Sequence, residues 1–581
     1  MPGNIIDDIK NCYSEASTTF RELYDHMEKC HQYYNGKQYT SLDENTLTTT
    51  GNIKPELNLI AKQVDSLIGK RITTLTDIKA NPIEKDDLWV SDLATRTLKW
   101  IIDNCNGQSH ILRGHKDQIL GGLGWVVVDL DMSKDFVSGD ITLKYEKYSN
   151  ILFDPHTEDL LGLSDCDYIQ RFRTLNKSDL KKLFPDKADE IEALKTENAD
   201  GSIFKRNTIQ SERNQNVTVK EHWYRKFKTK TIIINLDDEE DQADWIRGAE
   251  SLAIFLDENP NFKSVKVTEQ IICVATTAND TVVLQDKETI FRRYPFIPFV
   301  GYYDSGEEDW RYKVRGYASQ LIGLQDQILF FRGAILKCVR DFVQQIYYVE
   351  DGSLKNDDVE SLISKRGRAG LIRTKKGGNQ GIRREEQSPI PQAYQGMEMA
   401  LRNDINVVGT PPELMGTPTN LESGKAIGLM QSVGLLHTGE INEHLNYALR
   451  TLGQIILEVA FANFTMKKFQ RICGASFEMR EDSLARAKET IAYDIKVDET
   501  TNSPTYQIAA YESLQQQIQH GMPVPPQTMI ENNPYFNYEQ KQQILQQYTQ
   551  MQQQQQAAAM QQEQAKALGQ IQSNTQIGAP Q

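Results

Sequence analysis

The chain has 581 residues, of which 80 are acidic and 65 basic, giving a formal net charge of -15. That length holds about three domains at roughly 100 to 200 residues each. The acidic balance argues against a surface that clamps nucleic acid everywhere, since such binding needs Lys and Arg to neutralise phosphates; local contact with DNA stays open.

No window nears the roughly 18 apolar residues of a membrane span, so no membrane partner is expected. Met1 to Lys10 lacks the basic-then-apolar order of a signal peptide. Seven scattered cysteines (Cys12, Cys30, Cys105, Cys166, Cys273, Cys338, Cys473) form no C-x-x-C pair. They read as reduced and intracellular, without zinc or a disulfide framework.

The first hundred residues are helical in pattern, with apolar positions at Val64, Leu67, Ile68 and at Leu88, Leu93, Leu98, Ile101. Tyr33-Tyr34-Asn35-Gly36-Lys37-Gln38-Tyr39 is a turn signal between aromatics, read on its own as a surface turn. From Gly121-Gly122-Leu123-Gly124 the texture becomes strand-like. Trp125 to Asp129, Ile141 to Tyr145, Tyr168 to Phe172, Val217 to Tyr224, Thr231 to Leu236, Ser264 to Val274 and Thr281 to Leu284 are rich in β-branched and aromatic residues. Residues 237 to 258 carry nine acids and one Arg, which reads as a solvated loop or helix face. Tyr294 to Val300 is an extended, proline-fixed segment.

Tyr317, Leu321, Leu324, Ile328, Phe331, Ile335, Val339, Phe342 and Ile346 then recur with the 3.6-residue period of an amphipathic helix. Residues 347 to 388 break that helix with a basic segment: Lys365, Arg366, Arg368, Arg373, Lys375, Lys376, Arg383 and Arg384 precede the next acid, Glu385. A shorter helix with Tyr394, Met397, Leu401, Ile405 and Val408 on one face ends at Gly409-Thr410-Pro411-Pro412. Gly424 to Phe464 is helical again, with a kink plausible at Gly428, Gly434 or Gly439. Phe469 to Met479 and Ile491 to Val497 read as strands around a charged helix. Helical signal returns from Pro504 and runs into a tail in which 17 of the last 41 residues are Gln.

No pattern commits the chain to catalysis. The nearest thing to a phosphate loop, Ser423-Gly424-Lys425-Ala426, has its upstream Gly416 eight residues away and no hydroxyl at Ala426 for magnesium. His437 and His444 lack a third ligand for a metal, and Gly121 to Gly124 precedes a strand, where a dinucleotide fingerprint would follow one. Asp129 and Asp131 are turn-adjacent carboxylates without a metal ligand set. No cofactor, metal or catalytic residue is expected.

The order of parts resembles the portal (head-to-tail connector) proteins of tailed bacteriophages, the short-tailed type above all. The likeness rests on Tyr34 to Gln38 with Asn58-Leu59-Ile60 and Ser66 to Gly69; on Gly124 to Asp129 with Phe153-Asp154-Pro155 and Ser164 to Tyr168; on Val314-Arg315-Gly316 with Gln325 and Gln327; and on Val408 to Gly416 with Glu422 to Ala426.

The resemblance implies an α+β portal fold in a ring, usually of twelve copies. Residues 1–308 would be the mixed α/β wing, 309–346 the outgoing stem helix, 347–388 a small α/β clip and 389–408 the returning stem helix. The tunnel loop would take 409–423, further wing 424–503, a helical crown 504–550, and a flexible Gln-rich tail 551–581. The eight cations named above would be clip contacts to partners. Thr410, Pro411, Pro412, Glu413, Leu414, Met415, Thr417, Asn420 and Glu422 would face double-stranded DNA. Implied partners are the terminase large subunit, a tail adaptor, and the major capsid and scaffolding proteins, in a virion assembled in the host cytoplasm. The tail is short for the long helical barrel of some members. The rival readings are a metal-dependent nuclease or ATPase of DNA packaging, and another ring of the neck.

Overall fold

A three-stranded antiparallel sheet organises the computed structural model of the chain. Its central strand, Leu123–Asp131, pairs with Asp140–Glu146 on one side and Phe296–Val300 on the other. Side chains alternate across a strand, and here both faces are buried. Val126, Val128, Ile141, Leu143, Ile297 and Phe299 point into one core, shared with the helices Leu88–Asn104 and Gly439–Asn463. Leu123, Trp125, Val127, Phe296 and Val300 point into another, where the helix Arg21–Tyr34 supplies Leu23, Tyr24 and Met27. A one-residue slip would exchange the two sets, so the register is strongly specified. Pro298 stands opposite Trp125 on an edge strand, where its missing N–H leaves no ladder partner unpaired.

The structure describes residues 5–49, 53–73, 77–82, 88–194 except 134 and 136, 216–235, 242–244, 249–343, 347–349, 382–384, 392–409, 438–473 and 495–500, with parts of 511–551. Two units divide the chain, residues 1–68 with 78–498, and residues 69–77 with 499–581. In the second, the described residues include the helix Pro526–Glu531.

Within the first unit a larger sheet runs Ile151–Phe153, Tyr168–Asn176, Asn216–Asn235, Phe262–Ala278, Val282–Glu288. Two strands expected at Val217 to Tyr224 and Thr231 to Leu236 are one strand of 20 residues, because Arg225 to Lys230 is held by cross-strand pairing with Val267 to Ile272. Part of the acidic run is ordered as the short strand Gln242–Asp244 and the helix Ala249–Glu258. Asp129 lies within a strand and not beside a turn. Its carboxylate meets Arg171, which is 1% exposed and also reaches Glu146 and Glu221; Arg173 and Lys144 complete the network. Burial pushes the Asp129 carboxyl up, but Arg171, Arg173 and Lys144 outweigh it and hold the group at about 2.

At a second buried carboxyl, burial outweighs the compensation that a Tyr145 hydrogen bond and the charges of Lys147 and Lys116 supply. Asp117, on the helix Gly107–Gly121, accepts a 2.6 Å hydrogen bond from the Tyr145 hydroxyl and lies 3.4 Å from His31. Burial raises Asp117 to about 7 and lowers His31 to about 4, since both charged forms are desolvated.

The Gly-rich signal at 121–124 marks a backbone crossing. Gly122 caps the preceding helix with φ of 94° and its carbonyl accepts from the Gly301 N–H at 2.7 Å. Gly316 packs on the same spot, where a Cβ would lie 2.3 Å from the Leu120 carbonyl oxygen. Only a residue without a side chain allows that approach.

Two expectations change, and a third is described in part. The helix expected from Asp309 to Ile346 begins at Ile322 and is described to Val343; before it come a four-residue turn Trp310–Lys313, the strand Val314–Arg315 paired to Tyr302–Tyr303, and a 3₁₀ turn Ala318–Leu321. The strand expected at Phe469 begins as the helix Met466–Cys473, with the Phe469 ring 4.8 Å from Phe461. The long helix expected from Gly424 is described over Gly439–Asn463, and residues 424–437 lie outside the described residues.

Candidate functional site: a helical hairpin and the segments it carries

The helices Ile322–Val343 and Gln392–Val408 form an antiparallel hairpin. Ile328 packs with Leu401 and Ile405, while Phe331, further along the outgoing helix, meets Tyr394 near the start of the returning one at 6.2 Å. At 1.5 Å per residue, the 22-residue outgoing helix is about 33 Å long.

Polar side chains fasten the root. Buried Gln325 donates from Nε2 to the Leu57 carbonyl at 2.9 Å and accepts from the Leu59 N–H at 3.1 Å. Asn58 Nδ2 donates to the Tyr33 and Tyr34 carbonyls, Gln38 Nε2 donates to Leu57 O, and the Tyr33 hydroxyl donates to Asp326 at 2.6 Å. The Tyr33 to Tyr39 turn is thus a clamp on the hairpin, more than a surface turn packed by its own rings. A cavity of about 810 Å³ beside it is lined by Lys29, Tyr33, Lys37, Tyr39, Phe330 and Lys337 among others.

At the far end Tyr347–Val349 pairs antiparallel with Ile382–Arg384, placing Arg384 opposite Tyr347 and Arg383 opposite Tyr348. The basic excursion therefore leaves and returns through one two-stranded ladder. Arg383 and Arg384 sit at its neck; Lys365, Arg366, Arg368, Arg373, Lys375 and Lys376 lie outside the described residues.

The expected channel-facing residues Thr410, Pro411, Pro412, Glu413, Leu414, Met415, Thr417, Asn420 and Glu422 also lie outside the described residues, but both flanks are described. On one side Gly409 is buried, its N–H bonds Ile405 O at 2.9 Å, and an added Cβ would meet Tyr317 Oη at 3.0 Å and Gln63 Oε1 at 3.1 Å. On the other, Ile441 joins the cluster that contains Tyr317, Ile322, Ile60 and Val64. Gln118 Nε2 donates to the carbonyls of both Ile441 and Val300, and His444 Nδ1 bonds Gly301 O at 2.7 Å, the structural role for that histidine. One hydrophobic cluster thus receives the outgoing helix and fixes both ends of the 410–437 segment. Gln63 and Gln118 escaped the sequence reading, because their partners, Tyr317 for the one and Val300 and Ile441 for the other, lie more than 180 residues away.

Among the described residues no group of three or more His, Cys, Asp or Glu is placed to hold a metal ion, and no helix is long and apolar enough to cross a membrane. The described residues thus form an α+β body with a helical hairpin rooted in it. The sequence matches the phage P22-like portal protein family over residues 10–580, and the chain belongs to that family. A portal protein of Helicobacter pylori bacteriophage KHP30 is 22% identical over 225 residues, covering 39% of this chain. The matched stretch spans 34% of that relative, about a third of its length.

Proposed function

We propose that copies of this chain close into a ring, of twelve subunits, at one vertex of a phage capsid, and that double-stranded DNA passes through the ring during packaging and ejection. The ring is a gateway and docking platform without catalytic activity of its own, assembled with capsid and scaffolding proteins in the host cytoplasm. The observation that carries this reading is family membership over nearly the whole chain.

The hairpin supports it physically. Met399 is 73% exposed and Val407 67% exposed on the returning helix, while Phe330 stands exposed beside the cavity on the outgoing one. A closed ring needs two different surfaces per subunit that meet head to tail, and the hairpin offers two apolar ones. In this reading the segment after Gly409 lines the channel. Its only charges between Thr410 and Ser423 are Glu413 and Glu422, so it neutralises no phosphates that moving DNA would have to release. The excursion at the tip, with eight cations, receives the terminase large subunit and later a tail adaptor.

Negative-stain imaging and native mass measurement of the purified protein test the ring: closed particles with an axial hole are expected, and a stable monomer at high concentration overturns the reading. Replacing Arg373, Lys375 and Lys376 with Glu is expected to preserve rings and weaken terminase or adaptor capture; unchanged capture removes the excursion from the docking role.

A further inference from the structure

Beyond Tyr224 the strands Asn216–Asn235 and Phe262–Ala278 leave the larger sheet and continue as a two-stranded ribbon. Register pairs run from Arg225 with Ile272 to Asn235 with Phe262. The neighbouring strands stop at the ribbon's base, at Tyr168 opposite Tyr224 and at Glu288 opposite Cys273, and among the described residues only the short strand Gln242–Asp244 pairs with it further out. The ribbon extends about 37 Å at roughly 3.4 Å per residue. Residues 226–229 and 266–270 are exposed on both faces. The helix Ala249–Glu258 packs on its outer end, Phe255 against Phe262 at 5.4 Å, but a two-stranded ribbon exposed on both faces between that end and the sheet is marginal in water, which favours a partner there.

Its charge is opposite to that of the chain. Lys226, Lys228, Lys230, Lys263 and Lys266 stand on it; Lys228 pairs with Glu288 and Lys230 with Glu269, while no carboxylate lies within ion-pair distance of Lys226, Lys263 or Lys266 among the described residues. Lysines along open strand edges discourage edge-to-edge pairing. That accounts for the charges but not for Phe227, 69% exposed near the base of the ribbon, or for the partly exposed Val267. Nucleic acid fits poorly, because Asp237 to Asp241, five acids in succession, follow the ribbon's first strand in the sequence.

A complementary surface exists on the same chain. The loop from Asp304 to Asp309 carries Asp304, Glu307, Glu308 and Asp309, all exposed and none paired to a cation among the described residues, and Tyr312 is exposed just beyond. We infer that the lysine ribbon of one copy docks on the Asp304 to Asp309 loop of the next, with Phe227 and Tyr312 as the apolar part of the contact. The inference rests on the ring reading and names a contact outside the hairpin. Lys226, Lys263 and Lys266, which have no ion-pair partner among the described residues, are the specificity-determining residues.

The test is a charge exchange on the full chain. Changing Lys226, Lys263 and Lys266 to Glu leaves the ion pairs among the described residues intact and is expected to raise the protein concentration at which rings dissociate about tenfold, more at low salt. Adding Glu307→Lys and Glu308→Lys is expected to restore the wild-type value. Hydrogen exchange at 226–230 and 266–270 should slow in the ring relative to the subunit. A ring unaffected by the first reversal, or a second reversal that weakens it further, overturns the ribbon contact alone. A wild-type protein that makes no ring overturns both readings. Rings that survive the reversal while losing affinity for duplex DNA would replace the proposed occupant with nucleic acid.

Discussion

Replacing Gly316 with Ala probes the crossing that launches the hairpin. The new methyl would lie 2.3 Å from the Leu120 carbonyl oxygen and 2.7 Å from the Gly122 nitrogen. Carbon and carbonyl oxygen approach comfortably to about 3.3 Å, so two backbones must part by about 1 Å. Neither can rotate away as a side chain would. The seam that opens is the one in which Tyr317, Ala318 and Leu321 bury against Ile119 and Leu120. Overpacking costs about 1–3 kcal/mol, and with the loosened seam we expect a loss of about 2–4 kcal/mol. Gly396, on the returning helix, has no atom within 4 Å of an added Cβ; Gly396→Ala should therefore gain about 0.5–1 kcal/mol from helix propensity. Urea unfolding followed by tryptophan fluorescence measures both variants. Gly316→Ala within about 0.5 kcal/mol of the wild type, or more stable than Gly396→Ala, would show that the crossing is not tight and that the glycine is incidental.

Asp117 provides a pH signature. Raised to about 7, it holds a proton in the folded chain that the unfolded chain gives up above about pH 4. Its contribution is full in acid and declines as pH climbs to 7, so Asp117→Asn should gain on the wild type by about 2–3 kcal/mol between pH 5 and pH 8; a pH-independent difference in urea midpoint refutes this. Arg171→Leu removes the buried cation shared by Asp129, Glu146 and Glu221, leaves them only the more exposed Arg173 and Lys144, and is expected to cost about 3–5 kcal/mol at pH 7. Asp129, held at about 2, contributes above pH 4 and loses that contribution as pH falls through 2. The Arg171→Leu deficit must therefore shrink in acid, and a deficit that persists undiminished at pH 3 contradicts the account. Met399→Glu with Val407→Glu should leave the subunit folded by circular dichroism while abolishing rings in native mass spectra, and intact rings would remove the returning helix from the interface.

The hairpin was legible because apolar residues from Leu324 to Phe342 and from Tyr394 to Val408 keep a 3.6-residue period that no other structure satisfies. Its start was not. Tyr317 and Leu321 continue the same spacing through a 3₁₀ turn, and what ends the helix at Ile322 is the pairing of Val314–Arg315 with Tyr302–Tyr303, a tertiary event. Phe469 to Cys473 misread as strand for a related reason: a short aromatic run takes its form from the rings it packs against, here Phe461 and Phe464. Arg225 to Lys230 carries little local strand signal, and the lysine ribbon became visible only through its register with Lys263 to Ile272. The eight-cation excursion and the Pro-bounded segment were visible as composition. Gln63, Gln118 and Gln325, which hold their flanks, are ordinary glutamines until their distant carbonyl and hydroxyl partners are known.

The small ladder between Tyr347–Val349 and Ile382–Arg384 has an evolutionary consequence. It brings the two ends of a stretch of roughly thirty residues side by side, and the entropy of closing such a loop grows only slowly with its length. What is spliced in beyond the ladder can lengthen, shorten or be swapped wholesale without shifting the register of the helices below. If the excursion has the docking role proposed above, a lineage can trade one such insert for another as its partners diverge, while the load path through the hairpin stays inherited.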